Sequence, residues 1–329
     1  MGTMKIRNSK IDDDLFMPGH SIWKKIALYL YEDICHKLMR PQTLLRYIGD
    51  GSLYPVPLQP AQDTLWTRSV VRWEDWKGER LRFSGSAENG IDYRCPNGQR
   101  NRLEKDFLRI PELDSLIKKK TFENYRLNID DVFGISASKS MTHDIESIDD
   151  FPLLRCRDFV EPISIEHLQK NMSHGEIRLD DMRFSDFEWA KRRIHWHNAG
   201  GSHHFAAARY QAIRLGCRVT LSGKLNRYSV DSDCLFQLRN RWSMYLLPKH
   251  KVFGKFYESM AAFQCAFGQC ELPRNLHNAQ ERDEQLTVIW LSKYDPKALA
   301  VAQVLDISGF ADFGLILDAL GKSAGSLNQ

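Results

Sequence analysis

The sequence contains no pair of cysteines at C-x-x-C spacing, which excludes the zinc ribbon and the thioredoxin-type redox motif. Its seven cysteines, Cys35, Cys95, Cys156, Cys217, Cys234, Cys265 and Cys270, are an odd number without a disulfide-framework pattern. They are expected as free, buried thiols in a reducing compartment. Long hydrophobic runs are missing too. The longest apolar stretches, such as Ile26–Tyr31 and Leu286–Leu291, are far short of the roughly 20 residues that span a bilayer. The opening residues, MGTMKIRNSKIDDD, have no apolar core of signal-peptide length, so no membrane association and a cytoplasmic location are expected. An excess of either charge is absent, because 46 basic against 42 acidic residues leave a net charge of +4. That balance permits a local basic patch but does not by itself predict nucleic-acid binding. Internal repeats, low-complexity tracts and a G-x-S-x-G nucleophile elbow are also absent.

What is present suffices for a large core. The chain has 329 residues and is 43% hydrophobic, so two domains are expected without staples. The first, over residues 1–150, reads as an α+β domain. Ile22, Ile26, Leu30, Ile34 and Leu38 recur at helical spacing after Ser21, and Pro41 is expected to end that helix. Leu65–Trp76, Arg80–Phe83 and Ile91–Arg94 read as short strands of a small antiparallel sheet, and Asn101–Lys120 as helix. Ser136–Asp150 is polar, acidic and aperiodic, the best candidate linker.

The second domain, residues 151–329, is mixed. Strands are expected at Leu153–Val160, Ile194–His197, Arg218–Leu221, Trp242–Leu247 and Leu286–Leu291. Helices are expected at Ser164–Met172, Ser202–Leu215, Val252–Phe267, Pro296–Leu305 and Phe310–Leu320, the last two as a C-terminal helical hairpin. Val301–Phe310 has a helix-turn-helix rhythm. The following helix, however, carries Asp312 and Asp318 and no basic residue before Lys322, unlike a helix that reads a major groove.

The most unusual segment is Ile194-His-Trp-His-Asn-Ala-Gly-Gly-Ser-His-His-Phe-Ala-Ala-Ala-Arg-Tyr. As a strand it places Ile194 and Trp196 on one side and His195 and His197 on the other. Gly200 and Gly201 permit a tight turn with close backbone approach, and Ser202 suits the N-cap of the next helix. Phe205, Ala208, Ala212 and Leu215 form that helix's buried stripe. A glycine turn at a helix N-terminus offers amide N–H groups and the positive dipole end, which favour phosphate or another anion.

The stretch Gly200-Gly-Ser-His-His-Phe-Ala-Ala-Ala-Arg resembles the nucleotide-binding motif of the ParB/sulfiredoxin superfamily. There a strand enters a G-x-H-R or GG-C-H-R turn, followed by an alanine-rich helix, a glycine and a further strand. Gly216 and Arg218–Leu221 continue the likeness, which covers about 40 residues. The resemblance implies an α/β (α+β overall) fold with a mixed sheet and helices, preceded by the smaller N-terminal domain. It also implies a site for ATP, as in sulfiredoxins and free-serine kinases, or for CTP, as in ParB proteins, with Mg2+ as a companion. Ser202 stands where sulfiredoxin has its reactive cysteine, so sulfinic-acid reduction is not expected. His204 stands where the family has arginine, which leaves less positive charge at neutral pH.

The expected ligand is therefore a nucleotide or other phosphorylated small molecule at Gly200, Gly201, Ser202, His203, His204 and Arg209, with phosphotransfer or phosphate hydrolysis as the chemistry. Asp186, Glu188 and His203 are the candidate catalytic residues. Asp186 and Glu188 belong to an acidic cluster with Asp180 and Asp181 that could supply a base or hold magnesium; the competing reading is a solvated loop. His195 and His197 with His203 or Asp186 could bind a metal, although an H-x-H alone reads better as two satisfied strand histidines. Arg183, Lys191, Arg192 and Arg193 read as a solvated basic face. The alternative function is a non-catalytic nucleic-acid- or protein-binding module on a degenerate form of the same fold. Oligomeric state is not legible.

Overall fold

The computed structural model describes residues 39–83, 86–99, 101–141, 145–191 and 194–325. The helix expected from Ser21 to Leu38 lies outside them. The described residues begin with α1 (Gln42–Gly49), β1 (Glu79–Phe83), β2 (Ser86–Pro96), β3 (Leu103–Arg109), α2 (Glu112–Ser115), β4 (Ile117–Asn128) and β5 (Gly134–Ile135). It continues through α3 (Asp150–Arg155), α4 (Ile165–Met172), β6 (Met182–Phe187), β7 (Ile194–Trp196), α5 (Ser202–Leu215) and β8 (Thr220–Val230). Then follow α6 (Ser232–Arg241), β9 (Trp242–Pro248), α7 (Phe253–Phe263), β10 (Phe267–Glu271), β11 (Leu286–Ser292), α8 (Pro296–Ile307) and α9 (Phe313–Gly325).

These elements make an α+β fold with two sheets. The first has the order β1-β2-β10-β11-β9, with β3 also on β2, and all its pairings are antiparallel. The second, β4-β8-β6-β7-β5, is mixed: β8 runs parallel to β6 and β7 parallel to β5. In the first sheet β9 and β11 are apolar on both faces. Met244, Leu246, Val288 and Trp290 enter a tryptophan-rich core with Trp73, Trp76 and Phe313. Tyr245, Leu247, Ile289 and Leu291 enter a separate core under α1, α7 and α8. Helical cover on both sides explains the unbroken apolar run of Leu286–Leu291. Each large side chain so buried contributes about 1.5–3 kcal/mol.

Several expectations change. Asn101–Lys120 is not a helix but β3, the single turn α2 and the start of β4. Glu104 and Lys105 favour helix, yet the ladder to β2 from Leu103 to Arg109 overrides that weak preference. Leu65–Trp76 forms two 3-10 turns rather than a strand. Leu153–Val160 begins inside α3 and continues as a 3-10 turn. The helix after Val252 stops at Phe263, where Gln264 turns left-handed (φ 50°) and opens the way to β10. Pro41 stands at the N-cap of a further helix, α1.

The boundary at residue 150 is not respected, since both sheets combine strands from either side of it. Ser136–Asp150 is no linker: Ile145, Ile148 and Phe151 are buried in the second sheet's core. The C-terminal helices are not a hairpin either. α8 packs Ala298, Val301 and Leu305 into one core, and α9 packs Phe313, Leu317 and Leu320 into the other. Between them the chain passes the edge of β9, where Leu246 N–H donates to Ala311 O (2.9 Å). Left-handed Gly309 (φ 77°) starts that passage.

A fragment of residues 151–329 should therefore not fold alone, because it lacks β4 and β2, the partners of β8 and β10. Thermal unfolding of the purified fragment followed by circular dichroism should show no cooperative transition. A sharp transition would restore the boundary at 150.

Candidate functional site: the cleft at the Gly200–Gly201 turn

β7, between β6 and β5, carries the chain out of the second sheet. Trp196 turns inward against Phe205 of α5, ring centroids 4.4 Å apart. Asn198, buried beyond the strand, clamps the turn. Its Oδ1 accepts from Ser136 and Ala137 N–H (both 3.0 Å), and its Nδ2 donates to Ala137 O (2.7 Å) and Gly200 O (3.1 Å). Asn198 thus supplies the backbone partners that an irregular buried turn requires. Sequence reasoning passed it over; an asparagine two residues before a glycine pair is the signal that could have found it.

Gly201 is left-handed (φ 68°) and occupies the N-cap position, so Ser202 is the first helical residue and not the cap expected of it. The capping group comes from elsewhere. Glu176, on the 3-10 turn Gly175–Ile177, accepts the Gly201 N–H at 2.9 Å. The first ladder bond of α5 runs from Phe205 N–H to Gly201 O, so the amides of Ser202, His203 and His204 precede the ladder, as at every helix start. Ala206, Ala207, Ala208 and Ala212 are buried, and these small side chains let α5 approach the sheet and α4 closely.

The turn opens on a cleft of about 440 Å3 lined by Ala137–Lys139, Phe159, His174, Glu176 and residues 199–204. His203 meets Ser140 Oγ through Nε2 (3.0 Å) and stacks on Phe151. His204 meets Asn171 Oδ1 through Nδ1 (2.9 Å) and stacks flat on His174, centroids 3.8 Å apart. Burial, with Lys139 adding to it and Glu176 opposing, holds His203 below the usual histidine range. Burial and the neighbouring His174 and His203 do the same for His204, again against Glu176. Glu176 itself is held low by the Gly201 amide first, with help from Lys139, His174 and His204.

The structure brings Gly200, Gly201, Ser202, His203 and His204 together and leaves the other expected residues apart. Arg209 points away from the turn: it is buried, paired with Asp149, and donates to Asp130 O at 2.9 Å. α5 turns about 100° per residue, so the seventh position after Ser202 lies two turns further along the helix. Asp186 is buried in the second sheet and accepts from Arg227 Nε (2.7 Å), lining a different hollow with Lys191. Glu188 accepts Val230 N–H at 2.9 Å. Asp186 and Glu188 are therefore engaged within the second sheet and do not line the cleft. His195 is enclosed by Phe187 and Gly134, and His197 meets Ser185 Oγ at 2.6 Å. Among the described residues no group of three or more His, Cys, Asp or Glu is arranged to hold a metal ion.

The fold and site define an α+β protein with a histidine- and amide-lined cleft at a helix start. Residues 122–326 match the model of the family of unknown function DUF6685, over more than half of the chain, and the protein belongs to that family. No curated protein and no solved structure matches the chain. Among the described residues, no helix is long and apolar enough to cross a membrane.

The packing around Gly201 makes a side chain there costly to the fold itself. A Cβ would stand 3.0 Å from both Ile177 N and Ile177 Cγ1, in a backbone conformation that side chains rarely adopt. Gly201→Val should lower unfolding stability by at least the roughly 1–3 kcal/mol of such strain, measured by urea denaturation; a parent-like midpoint would contradict this packing.

The histidines generate a second expectation. Their folded-state values lie below the unfolded one, so the unfolded chain takes up protons first as pH falls. The stability they contribute is complete above roughly pH 6.5, the unperturbed value, and is lost as pH drops through their lower folded-state values. The melting temperature should fall over that window, and less steeply in His204→Asn. Equal slopes for parent and variant would remove His204 from the effect.

Proposed function

We propose that this protein binds a nucleotide or other phosphorylated small molecule in the cleft at Gly200–Gly201. The observation that carries the reading is the carboxylate already seated there: Glu176 on the Gly201 amide is an internal anion drawn to the turn. A phosphate presents the same acceptor chemistry with more charge, and helix starts favour it. Lys139, Ser138 and Ser202 line the same space and would add donors, while Phe159 offers an apolar wall. The volume, about 440 Å3, lies within the range of small-molecule sites. The resemblance of residues 200–209 to the ParB/sulfiredoxin turn makes ATP and CTP the first candidates. Mg2+ would arrive with the phosphates. A second reading, a non-catalytic module for nucleic acid or protein, draws on Asp186 and Glu188 being engaged elsewhere.

In this reading Glu176 competes with the ligand for the turn. Glu176→Gln keeps an oxygen acceptor for the Gly201 amide but removes the charge, and should tighten nucleotide binding severalfold. Lys139→Ala should weaken it. Thermal shift against ATP, CTP and GTP, with and without Mg2+, is a sensitive measure, since a ligand at a hundred times its dissociation constant stabilises by about 2.7 kcal/mol. Absence of any shift at millimolar nucleotide would end the proposal. A shift indifferent to both substitutions would move the ligand to another site.

A further inference from the structure

Behind the cleft lies a chain of buried amides whose orientation is dictated from one end. Gln211 is fully buried, and its Nε2 donates to Val160 O at 2.7 Å. A carbonyl can only accept, so that contact identifies the nitrogen side of Gln211 and leaves Oε1 facing Asn171. Asn171, 1% exposed, donates through Nδ2 to Gln211 Oε1 (3.0 Å) and to Phe159 O (2.8 Å). Its Oδ1 is left facing His204 Nδ1 at 2.9 Å. An amide oxygen can only accept, so Nδ1 of His204 carries the proton. In the neutral ring Nε2 then bears the lone pair. Nε2 has no hydrogen-bond partner among the described residues, and His204 lines the cleft.

We propose that His204 Nε2 is a phosphoryl-accepting nucleophile, with Asn171 and Gln211 as the positioning residues that hold it in the reactive tautomer. This deepens the reading above and rests on it for the natural donor, a nucleoside triphosphate or another activated phosphate. In the step, the Nε2 lone pair forms an N–P bond while the bond from phosphorus to its bridging oxygen breaks. The electron pair leaves with the nucleoside diphosphate. The ring becomes positively charged, and its Nδ1 keeps its proton, donated in a hydrogen bond to the Asn171 oxygen, which stabilises that charge. A nucleophile oriented by a second group, itself oriented by a third, is the general arrangement of covalent catalysis. The groups facing the ring fit the step. His174 is stacked on it, His203 and His167 are near, and burial keeps the ring unprotonated at neutral pH. Glu176 is the opposing charge that an incoming phosphate must displace or pass.

The test uses potassium phosphoramidate, a small donor that phosphorylates histidine without nucleotide recognition, so its outcome is separable from failure of the nucleotide reading. Among the 11 histidines of the chain, His204 should gain an acid-labile, alkali-stable phosphoryl group ahead of exposed His250, read by peptide mass spectrometry. His204→Asn should abolish that label and leave the others. Asn171→Leu, which removes the acceptor oxygen, should slow it. Nitrogen-15 NMR of the parent should show His204 protonated at Nδ1 and bare at Nε2, the tautomer that the Asn171 contact dictates. The opposite tautomer, or labelling of His204 no faster than His250, overturns the proposal, and both measurements need only the parent protein if the leucine variant does not fold.

Discussion

Three rungs between β2 and β10, with Asp92, Tyr93 and Arg94 opposite Gln269, Gly268 and Phe267, join the two ends of the chain in one sheet. The contact is close. At Gly268 a Cβ would run into the side chain of Ile91, so the approach requires glycine. Because β10 also pairs with β11, and β11 with β9, these rungs carry the N-terminal strands onto the most apolar part of the molecule. The second sheet is then formed by the chain between, residues 117–230. Closing such distant segments is costly in loop entropy. It is offset here by two cores that share a single sheet.

Within the second sheet, the cleft depends on polar groups that replace regular backbone pairing. Asn198 holds the turn to Ser136 and Ala137, and Glu176 completes the start of α5. Asn171 and Gln211 fill the buried side of the same helix with satisfied amides. An apolar core would have been simpler to build. A fully connected polar network does more than fill space, since every member orients the next. Its last member is a histidine on the cleft wall.

The charge around the turn is balanced rather than simply positive. The Gly201 amide, with Lys139, His174 and His204, holds the Glu176 carboxyl low, while burial holds His203 and His204 below the usual histidine range. The consequence is an anion-attracting turn with its own anion in place. The ligand proposed for this cleft would have to outcompete a tethered carboxylate, a demand that a multiply charged phosphate meets better than a single carboxylate.

By itself the sequence determined the local pieces whose signals are short-range. The switch from strand to helix around Gly200–Gly201, the helix from Ser202 to Leu215 and the inner strand at Leu286 can be read from period and glycine placement, and all three are present. So is the α+β class. Only the tertiary structure decided which pieces share a sheet, because ladder partners such as Tyr93 and Gly268 are far apart in sequence and β3 is helix-favouring taken alone. The same holds for the site. His203 and His204 could be placed at the turn from their neighbours in the chain. Glu176, Lys139, Asn171 and Asn198 reach it from other segments, while Asp186, Glu188 and Arg209 are turned away by strand pairing and helix rotation. A hydrogen bond across the fold depends on where two backbones meet, and that is settled by packing and not by residue type.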